Sequence, residues 1–163
     1  MLFQRVRDKW QGNLMSKKEK ILIVDDDLAL QESLVKILEA EGYYVETAKT
    51  GYEAEQKLIS QYYNISLIDI RLPDITGTEL LSKMNVISPR TKKIVLTGFP
   101  DASSAIRAVN EKADAYIVKP FNPVELVELI RVHLNLQLDE MKYTQKKVLE
   151  YIQNKVRELD NYL

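Results

Sequence analysis

Five times in succession this chain follows a short, uninterrupted apolar run with a stretch whose apolar residues recur at helical spacing, and no other feature narrows its fold as much. The first unit is "ILIV" (Ile21 to Val24) followed by "LALQESLVKILEAEG", where Leu30, Leu34, Ile37 and Leu38 fall on one helical face before Gly42. The pattern recurs as "YYVETA" with "YEAEQKLIS", "ISLIDI" with "GTELLSKM", "KIVLTG" with "ASSAIRAVNE", and "AYIV" with "PVELVELIRVHL". A continuous apolar run belongs to a strand covered on both faces, and strands alternating with helices require right-handed crossovers and a parallel sheet. The predicted class is therefore α/β, a doubly wound five-stranded parallel sheet filling Lys18 to about Leu136.

In such a sheet ligands gather beyond the carboxyl ends of the strands. The residues at those positions are Asp25, Asp26 and Asp27 after the first strand, Asp69 at the end of the third, Thr97 at the end of the fourth, and Lys119 after the fifth. Adjacent carboxylates repel one another and lose stability when drawn from water, so a positive partner is expected. Hard oxygen donors with neither His nor Cys among them suit a cation of magnesium type rather than zinc.

Composition removes several alternatives. A formal charge of -1, from 23 basic and 24 acidic side chains, gives no global field for nucleic acid or anionic lipid. The chain has no cysteine, which removes disulfides, thiolate nucleophiles and Cys-based metal sites and fits a reducing, cytoplasmic setting. Its apolar runs are strand-sized and its N-terminus lacks a signal-peptide core, so neither a membrane span nor secretion is expected.

The motifs "VDDD", "LIDIRLPDITG", "VLTG" and "AYIVKPF", in that order, resemble the receiver domain of two-component response regulators. The resemblance implies a flavodoxin-like strand order 2-1-3-4-5, which the general account of that fold illustrates with a member of this same family. It also implies a stand-alone signalling switch, not an enzyme beyond its own phosphorylation and dephosphorylation. Carried over, Asp69 is the phosphoacceptor for a sensor histidine kinase, and Asp25, Asp26, Asp69 and the backbone carbonyl of Arg71 hold Mg²⁺. Lys119 and Thr97 bind the phosphoryl oxygens, and Tyr116 is the aromatic switch that alters the face of the fourth helix, fifth strand and fifth helix. Asp27 is expected only to cap the helix starting near Leu28.

Other positions have mechanical readings. Pro73 stiffens the loop after Asp69, Gly77 relieves the turn into the third helix, and Pro120 resembles the family's cis-prolyl junction, although trans is the default for such a bond. Arg71 and Phe99 occupy positions that modulate loss of phosphate in the family, and their bulk is expected to lengthen the phosphorylated lifetime. Where the family commonly has Gly-Ala before the last strand, this chain reads Glu111-Lys112-Ala113-Asp114, so its fourth helix must end differently. His133, the single histidine, is expected at the surface of the last helix. A haloacid-dehalogenase type of aspartate-nucleophile phosphohydrolase is disfavoured, because Asp25-Asp26-Asp27-Leu28-Ala29 ends in alanine where that class wants Thr or Val.

The flanks supply the remaining expectations. Residues 137–163 are too short for a winged helix and carry balanced charge, so direct nucleic-acid contact is not expected. No Gly or Pro interrupts Val124 to Leu163, which predicts a helix of about 40 residues, roughly 60 Å long. Leu134, Leu138, Met141, Gln145, Val148, Ile152 and Leu159 fall on a heptad seam, spoiled at Lys155 and resumed through Val156 and Leu163. Homodimerisation through this helix or the switch face, docking on another protein, and a solvated tail all satisfy that pattern. A phosphorylation-independent dimerising scaffold is the corresponding alternative function. Residues 1–17 read as a leader or an amphipathic arm, with Leu2, Phe3, Val6 and Trp10 at helical spacing.

Overall fold

The structure is a computed structural model that describes residues 18–98 and 113–160. The chain divides into two compact units at Phe121/Asn122. The first contains β1 (Lys20–Val24), α1 (Leu28–Ala40), β2 (Tyr44–Ala48), α2 (Gly51–Ser60), β3 (Ile65–Asp69), α3 (Gly77–Ile87), β4 (Lys92–Thr97) and β5 (Ala115–Val118). The fourth predicted helix and Phe99 fall in 99–112, and the N-terminal arm in 1–17, outside the described residues.

The five strands form one parallel sheet in the order β2-β1-β3-β4-β5, as expected. Both faces are covered. Leu22, Val24, Ile68 and Val95 pack with Ala54 and Leu58 of α2, Tyr63, and Leu80, Leu81 and Met84 of α3. The alternate residues Ile21, Ile23, Ile65, Leu67, Ile94 and Leu96 are all 0% exposed. This two-sided burial is why the sequence shows continuous apolar runs instead of alternation. Truncating one such side chain to Ala would cost about 2–5 kcal/mol, because the packed surroundings collapse only partly around the cavity.

Local chemistry fixes the helix ends. Asp27 caps α1, accepting from Leu30 N at 3.1 Å, and α1 terminates before Gly42, whose φ of 94° is the left-handed conformation that glycine adopts without a Cβ penalty. Thr76 and Glu79 form a reciprocal capping box at the start of α3.

The second unit is a single helix, α4 (Pro123–Asp160, 38 residues), opened by Asn122, whose side chain accepts from Val124 N and whose carbonyl accepts from Leu126 N. Pro123 sits at the first helical position, where its missing N–H costs nothing. Leu126, Val127, Ile130, Leu134 and Gln137 are buried. His133 is 8% exposed, contrary to the expectation of a surface residue: it lies three residues after Ile130 and four before Gln137, on the same stripe. Further on, Leu138, Val148, Ile152 and Val156 are exposed. Among the described residues no helix is long and apolar enough to cross a membrane.

Candidate functional site

Asp25, Asp26 and Asp69 each place a carboxylate oxygen so that all three lie within 4.8 Å of one another. They meet because β1 and β3 are adjacent in the sheet, Val24 pairing with Ile68, so the residues following each pair come out side by side. Lys119 arrives from the end of β5 and donates to Asp25 Oδ2 at 2.7 Å, with its Nζ 3.6 Å from Asp69 Oδ1.

The surroundings of the three acids differ. Asp25 is 0% exposed and held at every polar atom: its N–H donates to Ala48 O, its carbonyl accepts from Gln31 Nε2, Oδ1 accepts from Asp27 N, and Oδ2 from Lys119. Asp26 is exposed, and among the described residues its side chain makes no hydrogen bond or ion pair. Asp69 is intermediate. Burial raises its pKa above the ordinary carboxylate value; Lys119 and the Arg71 N–H oppose that rise, while the Asp25 and Asp26 charges reinforce it.

The loop after Asp69 is closed on itself. Gly77 N donates to Ile70 O at 2.7 Å, and Arg71 and Thr76 form an isolated antiparallel bridge. Gly77 is required here by close approach and not by a left-handed backbone: a Cβ would stand 2.4 Å from Asp69 O and 2.8 Å from Ile70 Cα. Pro73 lies at the exposed tip, and the next residue, Asp74, ties the loop to a different element. Its two carboxylate oxygens accept from Gly51 N and Tyr52 N at 2.9 and 2.8 Å, capping α2. Burial is the largest single influence on the Asp74 pKa and raises it, but the backbone N–H groups of Gly51, Tyr52, Ile75 and Asp74 together outweigh it and hold the group below its ordinary value.

Thr97 ends β4 as a buried residue, and its carbonyl accepts from Lys119 N at 2.7 Å. The Lys119-Pro120 peptide is cis, as the resemblance implied and the default for an X-Pro bond did not. Tyr116 lies on β5 and is 49% exposed. Asp114, at the departure from Gly-Ala, accepts from Lys93 N and pairs with Lys92, anchoring the entry to β5.

Two contributors were not anticipated from the sequence. Gln31 bridges the ends of β1 and β2, and its signal was a polar residue on the stripe shared with Leu34 and Leu38. Asp74 was visible only as part of the loop motif, with nothing local to indicate its partner on α2.

The donor set fits a divalent cation. Three carboxylates face one ammonium, leaving two negative charges without a described counter-charge, and the ligands are hard oxygens with at least one side chain open to solvent.

Comparisons agree with this geometry. Residues 21–131 match the family model described as the response regulator receiver domain. The chain is 37% identical over 115 residues to the transcriptional regulatory protein CpxR homolog of Haemophilus influenzae, covering 71% of this chain and 50% of that protein. It is 32% identical over 141 residues to the alginate biosynthesis transcriptional regulatory protein AlgB of Pseudomonas aeruginosa, covering 86% of this chain and 30% of that one. The chain thus spans about half or less of the length of these curated relatives. Among solved structures, a CheY-like receiver domain protein from Methanospirillum hungatei JF-1 superposes with a TM-score of 0.74 at 45% identity, covering 76% of this chain and 99% of that one. The beryllofluoride-activated NtrC4 receiver domain dimer gives 0.69 at 31% identity, covering 72% and 98%. Sheet order, strand-end carboxylates and these matches agree: the chain belongs to the response regulator receiver domain family of two-component systems.

Proposed function

We propose that this chain is a phosphorylation-activated switch that takes a phosphoryl group from a sensor histidine kinase onto Asp69 and signals through protein contacts. The observation that carries the reading is the convergence of Asp25, Asp26, Asp69 and Lys119 at the ends of three strands of a receiver fold. An Asp69 carboxylate oxygen attacks the phosphorus of a phosphohistidine; the P–O bond forms as the P–N bond breaks, and the imidazole leaves with the electron pair. Because nucleophile and phosphoryl group are both anionic, positioning and charge neutralisation control the rate. Asp25, Asp26, Asp69 and the Arg71 carbonyl would hold Mg²⁺, which when bound supplies that neutralisation. Lys119 is near enough to Asp69 to donate to a phosphoryl oxygen, and Thr97 offers a second donor. Arg71 and Phe99 limit access of water to the acyl phosphate.

The switch is read out by Thr97 and by Tyr116, a half-exposed ring on the edge strand. Residues 18–136 form the receiver and 137–163 the output segment, with two copies pairing along the exposed seam of α4 in the cytoplasm. Support comes from the unbroken helix, from exposed Leu138, Val148 and Ile152, and from the AlgB match, whose 141 residues in a 163-residue chain must include part of α4 beyond Leu136. Gln145 at a seam position faces its own copy in a parallel, in-register pair.

Amide spectra and light scattering with Mg²⁺, with and without beryllofluoride, test this reading. Beryllofluoride is expected to shift the Thr97 and Tyr116 resonances in wild type but not in Asp69→Asn, with a dimeric mass in the activated state. A wild-type chain whose spectrum and mass ignore beryllofluoride would contradict it and favour the phosphorylation-independent scaffold.

A further inference from the structure

Gln31 is 4% exposed, a polar side chain on an otherwise apolar stripe of α1. Its amide nitrogen donates to Asp25 O at 2.6 Å and to Ala48 O at 2.9 Å. Both acceptors are carbonyls, so the NH₂ end of the amide must face them. Val24 and Ala48 form the last rung of the β1–β2 ladder, and past it no strand residue remains to satisfy the Asp25 carbonyl. The side-chain amide takes the place of the missing rung.

That bond fixes the peptide joining Asp25 to Asp26, and with it the direction in which Asp26 leaves the chain. Asp25 has three further tethers. Asp26 has no side-chain tether among the described residues, so its orientation toward Asp25 and Asp69 depends on the main chain that Gln31 holds. We infer that Gln31 is a positioning residue for the cation site, acting through Asp26 to pre-form the three-carboxylate cluster. The inference rests on the reading that Asp25, Asp26 and Asp69 take up Mg²⁺.

Calorimetric titration of the full chain with magnesium chloride tests it, with thermal melts in EDTA run alongside. Gln31→Leu, which keeps the bulk and removes the donors, is expected to weaken Mg²⁺ binding about ten-fold, and Gln31→Asn, too short to reach both carbonyls, less strongly. In the double variant Gln31→Leu/Asp26→Asn, affinity is expected to equal that of Asp26→Asn alone, because the two act in series. A structural role would lower the EDTA melting temperature without that coupling. Unchanged affinity in Gln31→Leu, or losses that multiply in the double variant, would overturn the inference; should Gln31→Leu not fold, unchanged affinity in Gln31→Asn does the same. Absence of Mg²⁺ binding by wild type is a separate result, seen before any substitution, that overturns the proposed function and this inference with it.

Discussion

The ammonium of Lys119 is bonded to Asp25 at 2.7 Å while standing 3.6 Å from Asp69, so one cation from the end of β5 compensates two acids from the ends of β1 and β3. Asp25 is 0% exposed, so removing that partner leaves a buried carboxylate without its ion pair. Lys119→Met is expected to destabilise the metal-free chain by about 3 kcal/mol in urea unfolding, the low end for removing one member of a buried pair because the Lys119 side chain is partly exposed. Magnesium is expected to recover part of that loss.

Asp69→Asn is expected to act in the opposite direction. Burial raises the Asp69 pKa, so the folded state resists ionisation that the unfolded chain accepts. Its stabilising contribution is present below the unfolded carboxylate pKa and lost as pH rises through the raised folded value. In EDTA at neutral pH the Asn variant should therefore melt a few degrees higher than wild type. Melting curves across pH check the sign, since the gap should close on acidification.

Gly77→Ala is expected to cost about 1–3 kcal/mol, because the added Cβ meets main-chain atoms of Asp69 and Ile70, which cannot rotate away. Relief by displacement of the Asp69 peptide would also slow phosphorylation from a small phosphodonor. Chemical denaturation and phosphorylation rate should both report the change.

At the outer edge of the sheet, Tyr63 OH donates to Glu46 Oε2 at 2.8 Å and Gln61 to Oε1 at 2.6 Å. Burial alone would raise the Glu46 pKa, but hydrogen bonds from Tyr63, Gln61 and Tyr44 and the charge of Lys57 bring it below the ordinary value. That stability is present above the unfolded carboxylate pKa and lost as pH falls through the depressed folded one. Tyr63→Phe is expected to cost about 1 kcal/mol at neutral pH and to flatten the acid limb of the stability curve.

What the sequence disclosed depended on how local the signal was. The central strands β1, β3 and β4 are buried on both faces, so "ILIV" and "ISLIDI" stand out as apolar runs, and their alternation with helices gives a parallel sheet whose strand order the family resemblance supplied. The acids and Lys119 are legible because they immediately follow those runs. Gln31 is not, since its role depends on Ala48 lying beside Asp25, a relationship created by strand pairing. The same holds for Asp74, whose partners are 23 and 22 residues away. His133 was misplaced because a histidine between Val132 and Leu134 reads as polar, whereas its spacing to Ile130 and Gln137 puts it on the buried stripe.

The central claim is that Asp69 accepts phosphate with help from Mg²⁺. Intact mass after incubation with acetyl phosphate, followed by peptide mapping of the acyl phosphate, tests it most directly. One phosphoryl group on wild type, located on Asp69 and lost with EDTA or Asp69→Asn, is the predicted result. Equal incorporation into Asp69→Asn, or incorporation indifferent to Mg²⁺, would contradict it.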